Sequence, residues 1–275
     1  MIYIIFFIVG LSASIIGAIC GVGGGVFIKP SLDAIGVLSV NSITFLSTCT
    51  VISMTGYTVI SSALSSKDGN SENLIDWKLT TWLAIGSAIG GIIGKNIYTR
   101  ILDLFVNKEA VGGYQAIALL ISMIFVLVYT INKSKIKSYK VTNPILLMIL
   151  GFILGAFSTF VGIGGGPLNL ALLYYFLSMS TKVAAQNSLY LILISQIPGL
   201  VITFMNGAVP QELYQGDVGF WTMLIGMMCC GVGGGILGKK INRQISSKVV
   251  DKLFILSIIC ISLLCIWNAY HKLGL

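Results

Sequence analysis

Long apolar runs alternate with short polar stretches along the whole chain, at residues 2–20, 40–64, 79–98, 114–131, 145–161, 183–205, 219–238 and 249–267. About 20 apolar residues in a helix cross the hydrocarbon core of a bilayer, so the pattern predicts eight long membrane helices. Two further apolar runs, 26–38 and 167–179, follow directly after glycine-rich breaks. They are too short to cross alone without tilt or local thinning and predict half-helices or re-entrant segments. The expected fold class is all-α, a polytopic integral membrane protein.

Comparing the chain with itself adds a second level of order. Gly21-Val22-Gly23-Gly24-Gly25 returns as Gly162-Ile163-Gly164-Gly165-Gly166, and Gly10 falls on Gly151 at the same offset. Leu38-Ser39 falls on Leu177-Ser178, and later Ile92-Ile93-Gly94-Lys95 falls on Ile236-Leu237-Gly238-Lys239. Order is preserved, so the chain reads as a tandem repeat of about 140 residues: a first repeat at 1–132, a basic linker at 133–143 and a second repeat at 144–275. The hexapeptide CGVGGG at 20–25 also recurs letter for letter at 230–235. Its context, opposite Gly90 and Gly91 of the first repeat, makes that copy a helix-packing element.

Composition narrows the class further. Only 9% of the 275 residues are charged while 56% are hydrophobic, and 32 are glycine. Soluble domains carry about 25% charge, so soluble-enzyme readings are nearly excluded; small residues instead suit close helix packing in lipid. The net charge of +8 would suggest nucleic acid in a soluble chain, but here the basic residues sit between apolar runs, as in positive-inside loops. With five passes per repeat, 12 basic residues share one side and 4 the other, Lys29 being unassigned. An odd number of passes also inverts the second repeat relative to the first. The linker then lies in the cytoplasm.

Residues 1–9 lack a basic start and Ile19 stands where a signal-peptide cleavage site needs a small side chain, so the first run is expected to be a helix and not a leader. All six cysteines (Cys20, Cys49, Cys229, Cys230, Cys260, Cys265) fall in apolar runs, which predicts free thiols serving as small apolar residues.

Lipid tolerates a broken helix only where the freed backbone is buried in protein or lines a cavity. The two GxGGG runs therefore call for a reason. Adjacent glycines bring amide N–H groups to a ligand without intervening side chains, and Pro167 stands at the start of the following helix, where its missing N–H costs nothing. The positive end of each short helix would then face an anion. Candidate binding residues are Gly23, Gly24 and Gly25 with Gly164, Gly165 and Gly166. A polar cluster on the next long helix adds Ser47 and Thr48 in the first half and Gln186, Asn187 and Ser188 in the second. Asn169, Gln196 and Lys29 complete the set. For each there is a structural alternative: packing for the glycines, interhelical or back-bonded hydrogen bonds for the polar groups, and snorkelling to the interface for Lys29.

All nine acidic residues lie in loops or near helix ends. Cation carriers and proton relays place carboxylates mid-membrane, so an anion is the expected cargo. His271 stands at the end of the last helix, and no His, Cys and carboxylate grouping has metal-ligand spacing. No cofactor, metal or catalytic residue is expected.

The paired motifs GVGGGVFIKP at 21–30 and GIGGGPLNLAL at 162–172, the polar stretches near Thr48 and Asn187, and the late GIIGK and GILGK elements resemble the sulfite exporter TauE/SafE family of membrane permeases. The resemblance covers almost the whole chain. It implies that the glycine motifs and polar helices face a substrate path, and that the cargo is a sulfur-containing anion such as sulfite, thiosulfate or an organosulfonate. Where the first motif keeps Pro30, the second has Ala171, so the half-sites are unequal. The reading is a secondary transporter of the cytoplasmic membrane, partnered by the bilayer and a small anion and not by nucleic acid. The alternatives are an anion channel and a membrane scaffold or assembly factor without transport.

Overall fold

The computed structural model describes residues 2–67, 74–104, 108–133, 135–161, 165–205, 207, 209–211 and 218–273. Among them are ten helices and no strand: α1 (Ile2–Cys20), α2 (Gly25–Ile35), α3 (Val40–Lys67), α4 (Trp77–Leu104), α5 (Lys108–Asn132), α6 (Pro144–Val161), α7 (Gly166–Leu177), α8 (Thr181–Met205), α9 (Val218–Gln244) and α10 (Ser247–Leu273). Every apolar run became a helix, with polar flanks extending several of them by a turn or two. Six helices, α1, α3, α5, α8, α9 and α10, are long and apolar enough to cross a membrane. The apolar part of α6 is shorter, and Lys95 and Asn96 interrupt α4.

The bundle has an apolar core threaded with buried polar groups and an apolar exterior. Ser14, Thr50, Thr55, Thr58, Thr80, Asn187 and Ser188 are fully buried, while Ile121, Phe125, Ile145, Ile153, Val218 and Leu263 point outward. An apolar exterior of this extent is a lipid-facing surface.

Glycine sets the tightest crossing. Gly86, Gly90 and Gly94 on α4 face Gly151 and Gly155 on α6 so closely that a Cβ on any of them would strike the other helix's backbone, at the carbonyls of Met148, Phe152, Ala156, Leu83 and Ser87. Gly91, expected to share this role, instead faces Thr159 Oγ1 at a looser 3.1 Å. The second CGVGGG lies inside the continuous helix α9, where Gly231 packs on the Thr50 carbonyl and Gly234 on Ser14. It is a packing element, as its context implied.

Contacts between the first five and last five helices come in exchangeable pairs. α4 packs on α6 as α1 does on α9, α3 on α9 as α4 does on α8, and α2 on α10 as α5 does on α7. Two lysines, Lys95 half-buried and Lys239 buried, fasten matching pairs: Lys95 of α4 donates to the Gly199 carbonyl (2.9 Å) and Thr203 Oγ1 of α8, and Lys239 of α9 donates to Ser61 Oγ of α3 (2.8 Å).

One end of the bundle gathers the basic segments. Lys133 Nζ, at the end of α5, pairs with Asp251 of α10 at 2.6 Å, and Asp251 also accepts from Thr181 at the start of α8 (3.0 Å). Lys182 reaches the Arg243 carbonyl at the end of α9 (3.5 Å). The linker backbone joins here too, Tyr139 and Val141 amides donating to the carbonyls of Tyr175 and Phe176 in the last turn of α7.

Candidate functional site

Each short helix opens on a glycine turn. α1 ends where the Gly21 and Val22 amides both donate to the Gly17 carbonyl (2.9 and 3.1 Å). Gly21 and Gly23 then take φ of +77° and +70°, the left-handed region that side chains disfavour. α2 begins with the Phe27 and Ile28 amides on the Gly24 carbonyl. In the second half Gly165 has φ +86°, and its carbonyl accepts from Asn169 N at 2.8 Å. Neither Gly24 nor Gly165 provides a side-chain cap, so the amides ahead of those bonds, Gly25 and Val26 in α2 and Gly166 and Leu168 in α7, where Pro167 has none, are left to other groups.

The two turns meet. A Cβ on Gly166 would strike the Val22 carbonyl, and one on Gly21 would strike Ala185 of α8. Gly23 packs on Ile192 and Val51, and Gly25 on Val51 and on Ser47 Oγ of α3. Ala185, Ser188 and Ile192 recur at helical spacing, which puts Ser188 on the α8 face that receives the first turn. Its hydroxyl is buried with no hydrogen-bond partner. Beside the second turn, Ser158 of α6 and Asn169 of α7 converge on Gly165.

The structure therefore brings together Gly23, Gly24, Gly25, Ser47, Gly165, Gly166, Asn169 and Ser188. Gly164 lies outside the described residues. The other candidates are placed differently, each for an identifiable reason. Asn187 is fully buried and already saturated: its amide donates to the carbonyls of Leu74 (2.8 Å) and Val183 (2.7 Å), and its oxygen accepts from Asp76 N (2.9 Å) and Thr80 Oγ1 (2.6 Å). Two donors and two lone pairs are all an Asn side chain has, so it clasps the start of α4 to α8. Gln186 accepts from Ser62 Oγ at 3.2 Å, a bond between α3 and α8. The Thr48 hydroxyl donates back to the Thr44 carbonyl at 2.8 Å, the usual refuge of Thr in a helix. Gln196 is half-buried, one turn beyond Ile192. Lys29 is buried one turn past the glycines, but its side chain lines a separate pocket with Asp33, Gln115, Cys265 and Asn268, between α2, α5 and α10.

Sequence reasoning missed Ser158. The repeat offset could have found it, since Ser158 replaces Gly17 of the first half. Among the described residues no cluster of His, Cys, Asp or Glu could hold a metal ion.

Comparison with known proteins agrees in extent with this architecture. The family described as sulfite exporter TauE/SafE matches residues 6–264. The chain is 25% identical over 290 aligned positions to "Probable membrane transporter protein YunE" of Bacillus subtilis (strain 168), covering 96% of this chain and 97% of that one. No solved structure matches the chain.

Proposed function

Because the chain belongs to the sulfite exporter TauE/SafE family, a family of membrane transporters, we propose that it is a secondary carrier moving a small sulfur oxyanion or sulfonate across the cell membrane. One observation carries the reading. Two uncapped helix N-termini, opened by glycine turns, meet inside a membrane bundle beside buried hydroxyl and amide groups. Helix N-termini attract negative charge. In a low-dielectric interior such donors discriminate strongly for an anion that has shed its water.

The exchangeable helix contacts support a division into repeats at 1–132 and 144–275, with the second inverted. Transport follows as rocking of one half against the other about the place where the turns meet. Gathering of the linker lysines, Lys182 and Arg243 at one end supports a cytoplasmic assignment for that end.

The test is anion-dependent thermal stabilisation of the purified protein. Sulfite, thiosulfate, sulfate, sulfonates and carboxylates are compared at equal ionic strength. Stabilisation by the sulfur oxyanions or sulfonates in preference to carboxylates is the expected result, since a ligand that binds only the folded state raises its melting temperature. No response to any of them would contradict the proposal.

A further inference from the structure

The two glycine turns occupy matching places in the chain but have unlike surroundings. At the second, a Cβ added to Gly165 would stand 2.9 Å from both Ser158 Oγ and Asn169 Oδ1. Ser158 is 4% exposed and Asn169 1%, and neither of these atoms has a hydrogen-bond partner. Buried polar atoms are rarely left unpaired in a folded protein, because each then bears its desolvation cost without return. Both atoms stand at the uncapped N-terminal end of α7, a 12-residue helix.

Shifted by the repeat offset, Ser158, Gly165 and Asn169 become Gly17, Gly24 and Ile28. At that place no polar side chain is among the nearest atoms, and the hydroxyls near the first turn, Ser47 of α3 and Ser188 of α8, come from other helices. A Cβ on Gly17 would lie 2.6 Å from the Gly24 amide nitrogen, so the first turn rests directly on the α1 backbone, and Ile28 Cδ1 lies 3.4 Å from the corresponding point on Gly24. Backbone and hydrocarbon fill what serine and asparagine leave open in the other half.

The geometry points to a one-sided binding subsite: Ser158 and Asn169, at the N-terminus of α7, receive the oxygens of a small oxyanion, and the first glycine turn is close-packed support. The inference rests on the anion-carrier reading and sharpens it. The donor and acceptor inventory also selects the ligand's form. The α7 amides and the Ser158 hydroxyl donate to anionic oxygens, whereas Asn169 Oδ1 only accepts. An oxyanion that carries one proton, such as hydrogen sulfite, satisfies all of them. With the amide so turned, an acceptor-only dianion such as sulfate leaves Oδ1 facing a lone pair and gains a partner only by swinging Nδ2 into its place, so the protonated anion is the better match.

The experiment titrates purified protein with hydrogen sulfite and with sulfate in mildly acidic buffer, following melting temperature. Hydrogen sulfite should stabilise the wild type and sulfate should not. Asn169→Leu and Ser158→Ala should each weaken hydrogen sulfite binding about tenfold or more, without lowering the ligand-free melting temperature, since each removes an unpaired buried group. A structural role would have the opposite signature. Ser158→Cys, nearly isosteric and a weak hydrogen-bonder, should fold as the wild type does and show the same loss. Ile28→Val, at the matching place in the first half, should leave the affinity unchanged. Normal hydrogen sulfite binding by Asn169→Leu and Ser158→Cys would overturn the subsite while leaving the carrier reading intact, and equal stabilisation by sulfate would overturn its preference for a protonated anion. Absence of any anion response in the wild type would overturn both.

Discussion

Gly166 rests on the carbonyl of Val22, so the first residue of α7 touches the middle of the opposite glycine turn. The contact leaves no room for a methyl group, and the carbonyl it meets belongs to a backbone fixed on both sides by left-handed glycines. Gly166→Ala is therefore expected to push the two turns apart and lower stability by about 1 to 3 kcal/mol or more, the range of an overpacked core. The melting temperature and folded yield of the variant check this; a stability equal to the wild type would mean the turns do not meet.

Asn187→Ala is expected to act on stability and not on affinity. It strips partners from Thr80 Oγ1, the Asp76 amide and the Leu74 carbonyl, and a buried group left unsatisfied costs about 1 to 3 kcal/mol. Once folded, the variant should bind anion with unchanged affinity. A large loss of affinity at unchanged melting temperature would return Asn187 to the binding site.

Asn187 and Ser158 mark how far the sequence can be read. Residues 2–20, marked out by hydropathy alone, coincide with α1, and the runs after the GxGGG motifs became the short helices α2 and α7, because apolar run length and glycine breaks are local signals. Partner choice is not local. Asn187 looked like a ligand because a buried amide on an apolar helix needs partners, and the partners arrive from residues 74–80, far away in the chain. Ser158 looked ordinary because a serine in a helix normally bonds to its own preceding turn; only the comparison with Gly17 sets it apart.

Gly90 and Gly91 separate packing from tolerance within one dipeptide. Gly90 would drive a Cβ into the Phe152 carbonyl, whereas Gly91 has 3.1 Å to a Thr159 hydroxyl that can turn away. Gly90→Ala should lower the melting temperature clearly, by about 1 to 3 kcal/mol of stability, and Gly91→Ala by much less. Binding by the folded fraction should be unchanged in both. Equal effects would contradict the α4–α6 crossing described above.

Sidedness follows from the gathered basic end. Lys137 in the linker and Ser246 between α9 and α10 are both exposed there. Single cysteines at these two positions in a cysteine-free protein should both be protected from an impermeant thiol reagent on intact cells and both react after permeabilisation. Labelling of one and not the other from outside would remove the inverted arrangement of repeats.

The proposal turns on an anion being carried by alternating exposure of a site where the two turns meet, held on the α7 side. Its most direct measurement is radiolabelled sulfite flux in proteoliposomes, recorded against substrate concentration with and without unlabelled sulfite on the far side. A carrier gives flux that saturates and is accelerated from the opposite side, and Asn169→Leu shifts half-saturation to about tenfold higher sulfite or beyond. Flux that rises linearly with concentration and ignores the far side would identify a channel, and no flux above protein-free vesicles would contradict transport of this anion altogether.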